Sequence, residues 1–347
     1  MQKMASQGAG TKEERKKRLR FIEENNVSNR QEQRLEKCED RQRRYITASI
    51  KREHNTKPKP YSGKWKLGLE MAKCQVKHEK VDVDGQKLDI LKKLGGGSFS
   101  CTYEVFGKDK KLHVLKMVRL MGQVEKSVLK EVNLLTKLAI EPKIVRLEVH
   151  EVRLTRKGVM MLLLMEHGDC SISDVFLQPK SISISSLLFY WESILKCVLV
   201  LHSKNIIHLD IKPANFILMQ GNAKVTDLSS AELLPTRNNY ILMEYQKGTT
   251  GFMGPECTNY YKNKMFRYSL KTDVFPLGVI LHALIFKTEG EQPNNLRLFE
   301  FLRKVVTNSI GENQFQRPSI DQLLKYLGTL AVVPSPKRRK CNVQNRI

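Results

Sequence analysis

A carboxylate, an ammonium and a carboxamide follow one another at short spacing in His208-Leu209-Asp210-Ile211-Lys212-Pro213-Ala214-Asn215. Asp210 is suited to accept a hydrogen bond from a hydroxyl and orient its oxygen for attack. Lys212 is suited to neutralise charge on a transferring phosphoryl group, and Asn215 to offer a hard oxygen to Mg2+. Asp227, in Asp227-Leu228-Ser229, follows the strand-like Ala223 to Thr226 and puts a carboxylate where a second magnesium contact belongs. Upstream, Lys116 of Val114-Leu115-Lys116 sits in an apolar run, where its charge is costly to bury unless paired. Glu131 on the following helix supplies a partner and leaves the ammonium to meet the α- and β-phosphates of a nucleotide. In Gly95-Gly96-Gly97-Ser98-Phe99-Ser100, missing side chains let backbone amides cover polyphosphate oxygens. A strand is expected after it, whereas a dinucleotide site requires a helix there. Taken singly, a glycine-rich hairpin is a turn and a strand lysine faces water; the ordered series points to phosphoryl transfer.

Two kinds of element must position these groups. From Val81 the sequence breaks into short β-rich runs: Leu88 to Leu94, Thr102 to Phe106, Leu112 to Val118, Ile144 to Leu154 and Val159 to Met165. Between the third and fourth, Glu131, Leu134, Leu135 and Leu138 recur at helical spacing. After Gly168 the periodicity predicts helices over Leu187 to His202, Leu277 to Phe286, Leu296 to Val306 and Ile320 to Leu327. The fold class expected is α+β: a small five-stranded antiparallel β lobe with one helix, then a larger, mainly helical lobe. Gly248 to Glu256 ends 29 residues after Asp227, leaving room for a substrate-binding segment. Arg317 is expected to form a buried ion pair with Glu256.

The series from Gly95 to Arg317 resembles the eukaryotic protein kinase superfamily over residues 85–330. Met165-Glu166-His167-Gly168, the 208–216 loop and Gly248-Thr249 through Pro255-Glu256 look most like the monopolar spindle (TTK-type) kinases. The resemblance implies a bilobal kinase fold with ATP and Mg2+ between the lobes. It also implies Met165 as gatekeeper, backbone hydrogen bonds to adenine from Glu166 and Gly168, and Thr249 near Asp210 and Lys212. A lysine two residues after the aspartate is what serine/threonine kinases use, so aliphatic hydroxyls of protein substrates are the implied acceptors, with tyrosine as an extension and cell-cycle control as a context. Four positions depart from the usual pattern. Ser100 replaces the third loop glycine and Leu228 a phenylalanine. Ser229 stands where glycine is usual, and a β-carbon there restricts the backbone beside Asp227. Leu209 replaces the arginine that many kinases use to grip a loop phosphate. Thr236, Tyr240, Thr249 and Thr250 are candidate modification sites. Ser229 and Ser100 motivate a competing expectation, a nucleotide-binding pseudokinase scaffold.

Composition sets the frame. With 41% hydrophobic and 28% charged residues, the 347-residue chain is expected to fold over most of its length. Seven scattered cysteines with no CxxC pair argue against a zinc cluster or a disulfide framework, and fit a reducing nuclear or cytoplasmic compartment. No apolar leader opens the sequence, and the most apolar short run, Val159 to Met165, is too short for a bilayer, so no membrane partner is expected. The net charge of +24 favours acidic partners. Residues 1–60 carry 17 Lys and Arg against 9 Asp and Glu, and residues 331–347 carry 5 against none. Residues 1–80 are read as a basic extension, helical from Thr11 or disordered, broken at Lys57-Pro58-Lys59-Pro60. Residues 331–347 are read as a basic tail whose Pro334 to Lys340 resembles a nuclear import signal. A third functional expectation is tethering to nucleic acid or an acidic tubulin tail through these ends.

Overall fold

In the computed structural model, which describes residues 79–155, 158–235, 237–288 and 295–329, the chain opens with a hairpin. Strands β1 (Lys80–Val83) and β2 (Gln86–Gly96) pair antiparallel around Asp84-Gly85, both at positive φ, 49° and 79°. A two-residue loop with φ > 0 at both positions matches the right-handed twist of its flanking strands, and Asp-Gly is among the pairs that adopt it. The sheet continues through β3 (Ser100–Gly107), β4 (Leu112–Arg119), β5 (Leu147–Thr155) and β6 (Gly158–Glu166), in the order β1-β2-β3-β4-β6-β5. It therefore has six strands where five were expected. The strand not foreseen, β1, is short and charged on one face, but it buries Val83 completely against Leu88, Tyr103, Leu115, Leu162 and Leu164.

That cluster fills one face of the sheet. The other face is covered by α1 (Gln123–Lys137), whose Val128 and Val132 pack on Val118, Met161 and Leu163. Further along the same helix, Leu134 and Leu135 enter the large core of the second lobe, as does Leu138 just beyond its end. Helix α1 is thus anchored in both lobes. The sheet also curls, so that its two outer strands meet: Glu151 accepts the Asp84 backbone N–H, and Arg153 donates to the Asp82 carbonyl.

The second lobe is built around α3 (Ile184–His202), which follows β7 (Cys170–Ser171) and the short α2 (Ile172–Leu177). Around it pack α4 (Val274–Lys287), α5 (Leu296–Ser309) and α6 (Ile320–Gly328), close to the helices expected from periodicity. Among the described residues α3 is long and apolar enough to cross a membrane, a feature the sequence reading passed over. Its Trp191, Ile194, Leu195, Val198 and Leu201 are fully buried, so its composition is that of a core helix. Gly278 lets α4 meet α5 closely, because a β-carbon there would lie 2.7 Å from Ser309 Cβ. The expectations for the N-terminal arm, residues 331–347 and Thr236 fall outside the described residues.

Candidate active site

Alternation along β4 sends Leu115 into the sheet core and Lys116 to the opposite face, toward α1. There Lys116 Nζ lies 2.8 and 2.9 Å from the two oxygens of Glu131 and 3.1 Å from Asp227 Oδ1. One ammonium therefore joins sheet, helix and second lobe. Burial works against its charge, but the two carboxylates outweigh that and hold the ammonium above its usual range. Burial likewise pushes the Asp227 carboxyl up, and Lys116 with the Ser229 hydroxyl more than reverses this, keeping it ionised.

The 208–215 loop leaves α3 through β8 (Ile206–Ile207) and enters β9 (Phe216–Met219), which pairs with β10 (Asn222–Val225). Asp273 accepts the backbone N–H groups of His208 and Leu209, at 2.8 and 2.9 Å, and the His202 Nε2 hydrogen at 2.9 Å. This carboxylate holds Leu209 at φ 63°, which a branched-chain residue adopts only under such constraint. The next residue, Asp210, carries the candidate base. Thr249 Oγ1 donates to Asp210 Oδ1 at 2.6 Å, and Lys212 Nζ lies 2.8 Å from Oδ2 while donating to Thr249 Oγ1 at 3.0 Å. Asn215 Nδ2 donates to the Asp210 carbonyl at 2.8 Å, and Thr226 N–H donates to the Asn215 carbonyl at 2.9 Å. Because Phe216 pairs with Val225, Asn215 and Asp227 leave the same end of the β9–β10 hairpin together.

The glycine-rich turn is tighter than expected. Gly95 and Gly96 belong to β2, and the turn itself is Gly97-Ser98-Phe99, closed by Gly97 N–H to Ser100 O at 2.9 Å. A β-carbon on Gly96 would fall 2.7 Å from that same oxygen, whereas Gly95 and Gly97 face open space. Phe99 is half exposed at the tip. At the other end of the sheet Met165 and Glu166 are buried, and the Glu166 carboxylate takes the Arg146 N–H and the Lys224 ammonium. A β-carbon on Gly168 would sit 2.8 Å from Ile217 Cδ1 and 3.1 Å from the Leu218 carbonyl oxygen, so a side chain there requires its neighbours to shift.

Arg317 and Glu256 form a two-pronged ion pair, both contacts 2.7 Å, with the guanidinium fully buried. The restriction expected at Ser229 does not arise. The left-handed residue is Asp227, at φ 58°, whereas Ser229 lies in a 3-10 turn, Leu228–Ser230, outside the positive-φ region. Its hydroxyl instead donates to Asp227 Oδ1 at 2.7 Å, and its carbonyl accepts from Ser127 of α1. Sequence reasoning also missed a charge cluster. Lys130 of α1 and Lys247 each place Nζ 2.6 Å from Glu232 Oε1, on β11 (Glu232–Leu233). Burial pushes the Glu232 carboxyl up, but the hydrogen bonds from the two lysines outweigh it and hold the group below its usual range. Burial also lowers Lys247, against the pull of Glu232.

The donor chemistry fits a hard cation and a polyphosphate. Asn215 engages Asp210 through Nδ2, which leaves its amide oxygen as the acceptor of that side chain, and Asp227 keeps a second oxygen beyond the one shared by Lys116 and Ser229. Among the described residues no group of three or more His, Cys, Asp or Glu is arranged to hold a metal by itself. One carboxylate and one amide suit a cation that completes its shell with phosphate oxygens and water.

Comparison with known proteins gives the same direction. The protein kinase domain matches residues 88–330. The chain is 30% identical over 269 residues to serine/threonine-protein kinase MPS1 of Encephalitozoon cuniculi, covering 72% of this chain and 44% of that protein. It is 31% identical to serine/threonine-protein kinase mph1 of Schizosaccharomyces pombe (56% and 30% covered) and 30% identical to dual specificity protein kinase TTK of Mus musculus (62% and 26%). The match spans less than half the length of each of these relatives.

Proposed function

Because this chain belongs to the protein kinase domain family, we propose that it transfers the γ-phosphoryl group of ATP to serine and threonine hydroxyls of proteins, with tyrosine as an extension. The observation that carries the reading is Lys116 held between Glu131 and Asp227, which brings the sheet's cation to the second lobe's carboxylate. ATP with Mg2+ supplies the activated phosphoryl group and the cation that offsets its charge. The protein's part is positional. Lys116 meets the α- and β-phosphates, the amides around Gly95, Gly96, Gly97, Ser98 and Phe99 cover them, and Asn215 with Asp227 hold the cation. Met165, Glu166 and Gly168 border the adenine, the last two through backbone groups.

Asp210 receives the acceptor hydroxyl. The Thr249 hydroxyl already donates to it at 2.6 Å, which supports the idea that an incoming serine or threonine hydroxyl can make the same bond. Lys212, beside Asp210, offsets charge on the group in transit. The complete set Lys116, Glu131, Asp210, Lys212, Asn215 and Asp227 supports turnover over a nucleotide-binding scaffold.

The test is phosphate transfer to a generic basic protein with ATP and Mg2+. Asp210→Asn should lower the rate about 10²–10⁴-fold, the usual share of a positioned base, and chelating the metal should abolish transfer. Equal turnover by the two proteins sinks the reading. Cell-cycle control is supported only by likeness to the MPS1- and TTK-named relatives. Nuclear or cytoplasmic residence is supported by the scattered cysteines and, for the nucleus, by the basic run Pro334 to Lys340, whereas an acidic protein, tubulin-tail or nucleic-acid partner rests on both basic ends, residues 1–60 and 331–347. Deleting residues 331–347 should move the protein out of the nucleus, and deleting residues 1–60 as well should abolish polyanion binding at low salt.

A further inference from the structure

Lys130, Glu232 and Lys247 belong to three different parts of the chain, and each has an active-site neighbour. Lys130 precedes Glu131, the partner of Lys116. Glu232 lies five residues beyond Asp227. Lys247 lies two before Thr249, which bonds Asp210 and Lys212. Both ammoniums converge on the same oxygen of Glu232, each at 2.6 Å, and Lys247 also donates to the Ser230 carbonyl at 2.8 Å. The cluster is partly withdrawn from water, with side-chain exposures of 31% for Lys130, 19% for Glu232 and 10% for Lys247. Its charges are therefore screened less than those of a surface pair.

Two cations share one carboxylate. Removing the carboxylate leaves two ammoniums facing each other, one on α1 and one on the segment that carries Thr249. A phosphorylated loop orders itself by placing an anion between basic groups. Here the anion between the basic groups is an encoded side chain. The apolar Leu209, 4% exposed, offers no guanidinium to a phosphate from the loop side.

We propose that Glu232 is a permanent charge latch, a positioning residue that holds α1 and the Gly248-Thr249 turn in their working places without phosphorylation of the 231–254 segment. The proposal rests on the kinase reading for its effect on turnover, but its structural half stands apart from it.

The experiment uses the full chain, treated with a broad phosphatase and shown by mass spectrometry to be unphosphorylated. Hydrogen–deuterium exchange over residues 123–137 and 231–249 is measured alongside phosphate transfer and KM for ATP. Glu232→Gln keeps the shape and removes the charge. It should speed exchange in both regions and lower kcat, each about tenfold, a value between those for exposed and buried ion pairs. Glu232→Asp should be intermediate. Glu232→Lys should be worse than Glu232→Gln, and adding Lys130→Glu should restore protection by returning a carboxylate between two ammoniums. A packing role predicts no such rescue, and a variant too unstable to measure is replaced by Lys130→Gln, which should loosen α1 alike. Glu141→Gln, which breaks the more exposed Lys204 pair, should change nothing.

Unchanged exchange in Glu232→Gln, or wild-type transfer that collapses after phosphatase and returns on phosphorylation, overturns the latch. If the wild type never transfers phosphate yet exchange follows the charge pattern, the latch stands and the kinase reading falls. Transfer with exchange indifferent to Glu232 means the reverse.

Discussion

Lys116 and Glu131 illustrate how a single buried charge can be structural and functional at once. Removing only Lys116 leaves Glu131, 1% exposed, without its bidentate partner, a defect that costs about 3–5 kcal/mol in buried pairs. Lys116→Met should therefore lose both stability and phosphate transfer, while Lys116→Met with Glu131→Leu should regain stability in a urea melt and still transfer nothing. Recovery of transfer by the double variant would refute the role assigned to Lys116. At the other end of the chain, Arg317→Ala should cost a similar amount by stranding the buried Glu256 carboxylate, with the nucleotide affinity of the folded protein little changed. The chemistry of both pairs was legible in the sequence, because a lysine inside an apolar strand and an arginine before a proline in a helical lobe demand partners. The Lys130–Glu232–Lys247 cluster was not. Its members lie 102 and 15 residues apart in sequence, each is an ordinary charge on a polar stretch, and only the folded arrangement brings them together.

Helices α3 to α6 announced themselves by apolar periodicity, and their ends moved only a few residues on folding. The strands were harder. β1 has four residues, two of them charged, so its alternation is brief; the Asp84-Gly85 turn was the available signal. Truncating its anchor, Val83→Ala, should destabilise by about 2 kcal/mol, from roughly 0.8 kcal/mol per buried carbon plus a cavity term, with kcat near wild type. Loss of transfer without loss of stability would show that β1 acts on the site directly. In the next hairpin, Gly96→Ala must displace the Ser100 carbonyl and so deform the Gly97-Ser98-Phe99 turn. Thermal stabilisation by ATP and Mg2+ should shrink in that variant more than the melting temperature of the ligand-free protein does.

At the scale of the molecule, burial divides the four cysteines among the described residues into two classes. Cys197 and Cys257 are buried and pushed up to about 12, by burial foremost in each case, whereas Cys101 and Cys170 are partly exposed. A thiol-reactive probe at neutral pH should label the native protein at Cys101 and Cys170, and reach Cys197 and Cys257 only in denaturant. The folded state keeps the protons of the buried thiols above pH 9.0, where the unfolded chain releases them. Stability is then complete below about pH 9 and drains away as pH climbs toward 12. A melting temperature that rises over this range would contradict the burial. The curled sheet acts on the same scale. Glu151 and Arg153 of the last strand take the Asp84 amide and the Asp82 carbonyl, so two backbone groups along the first strand's side of the sheet are already bonded. A neighbouring chain consequently finds fewer free groups to pair with at that edge, so Arg153→Ala, which frees the Asp82 carbonyl, should raise the fibrillar share of the precipitate formed on heating a concentrated solution above that of the wild type.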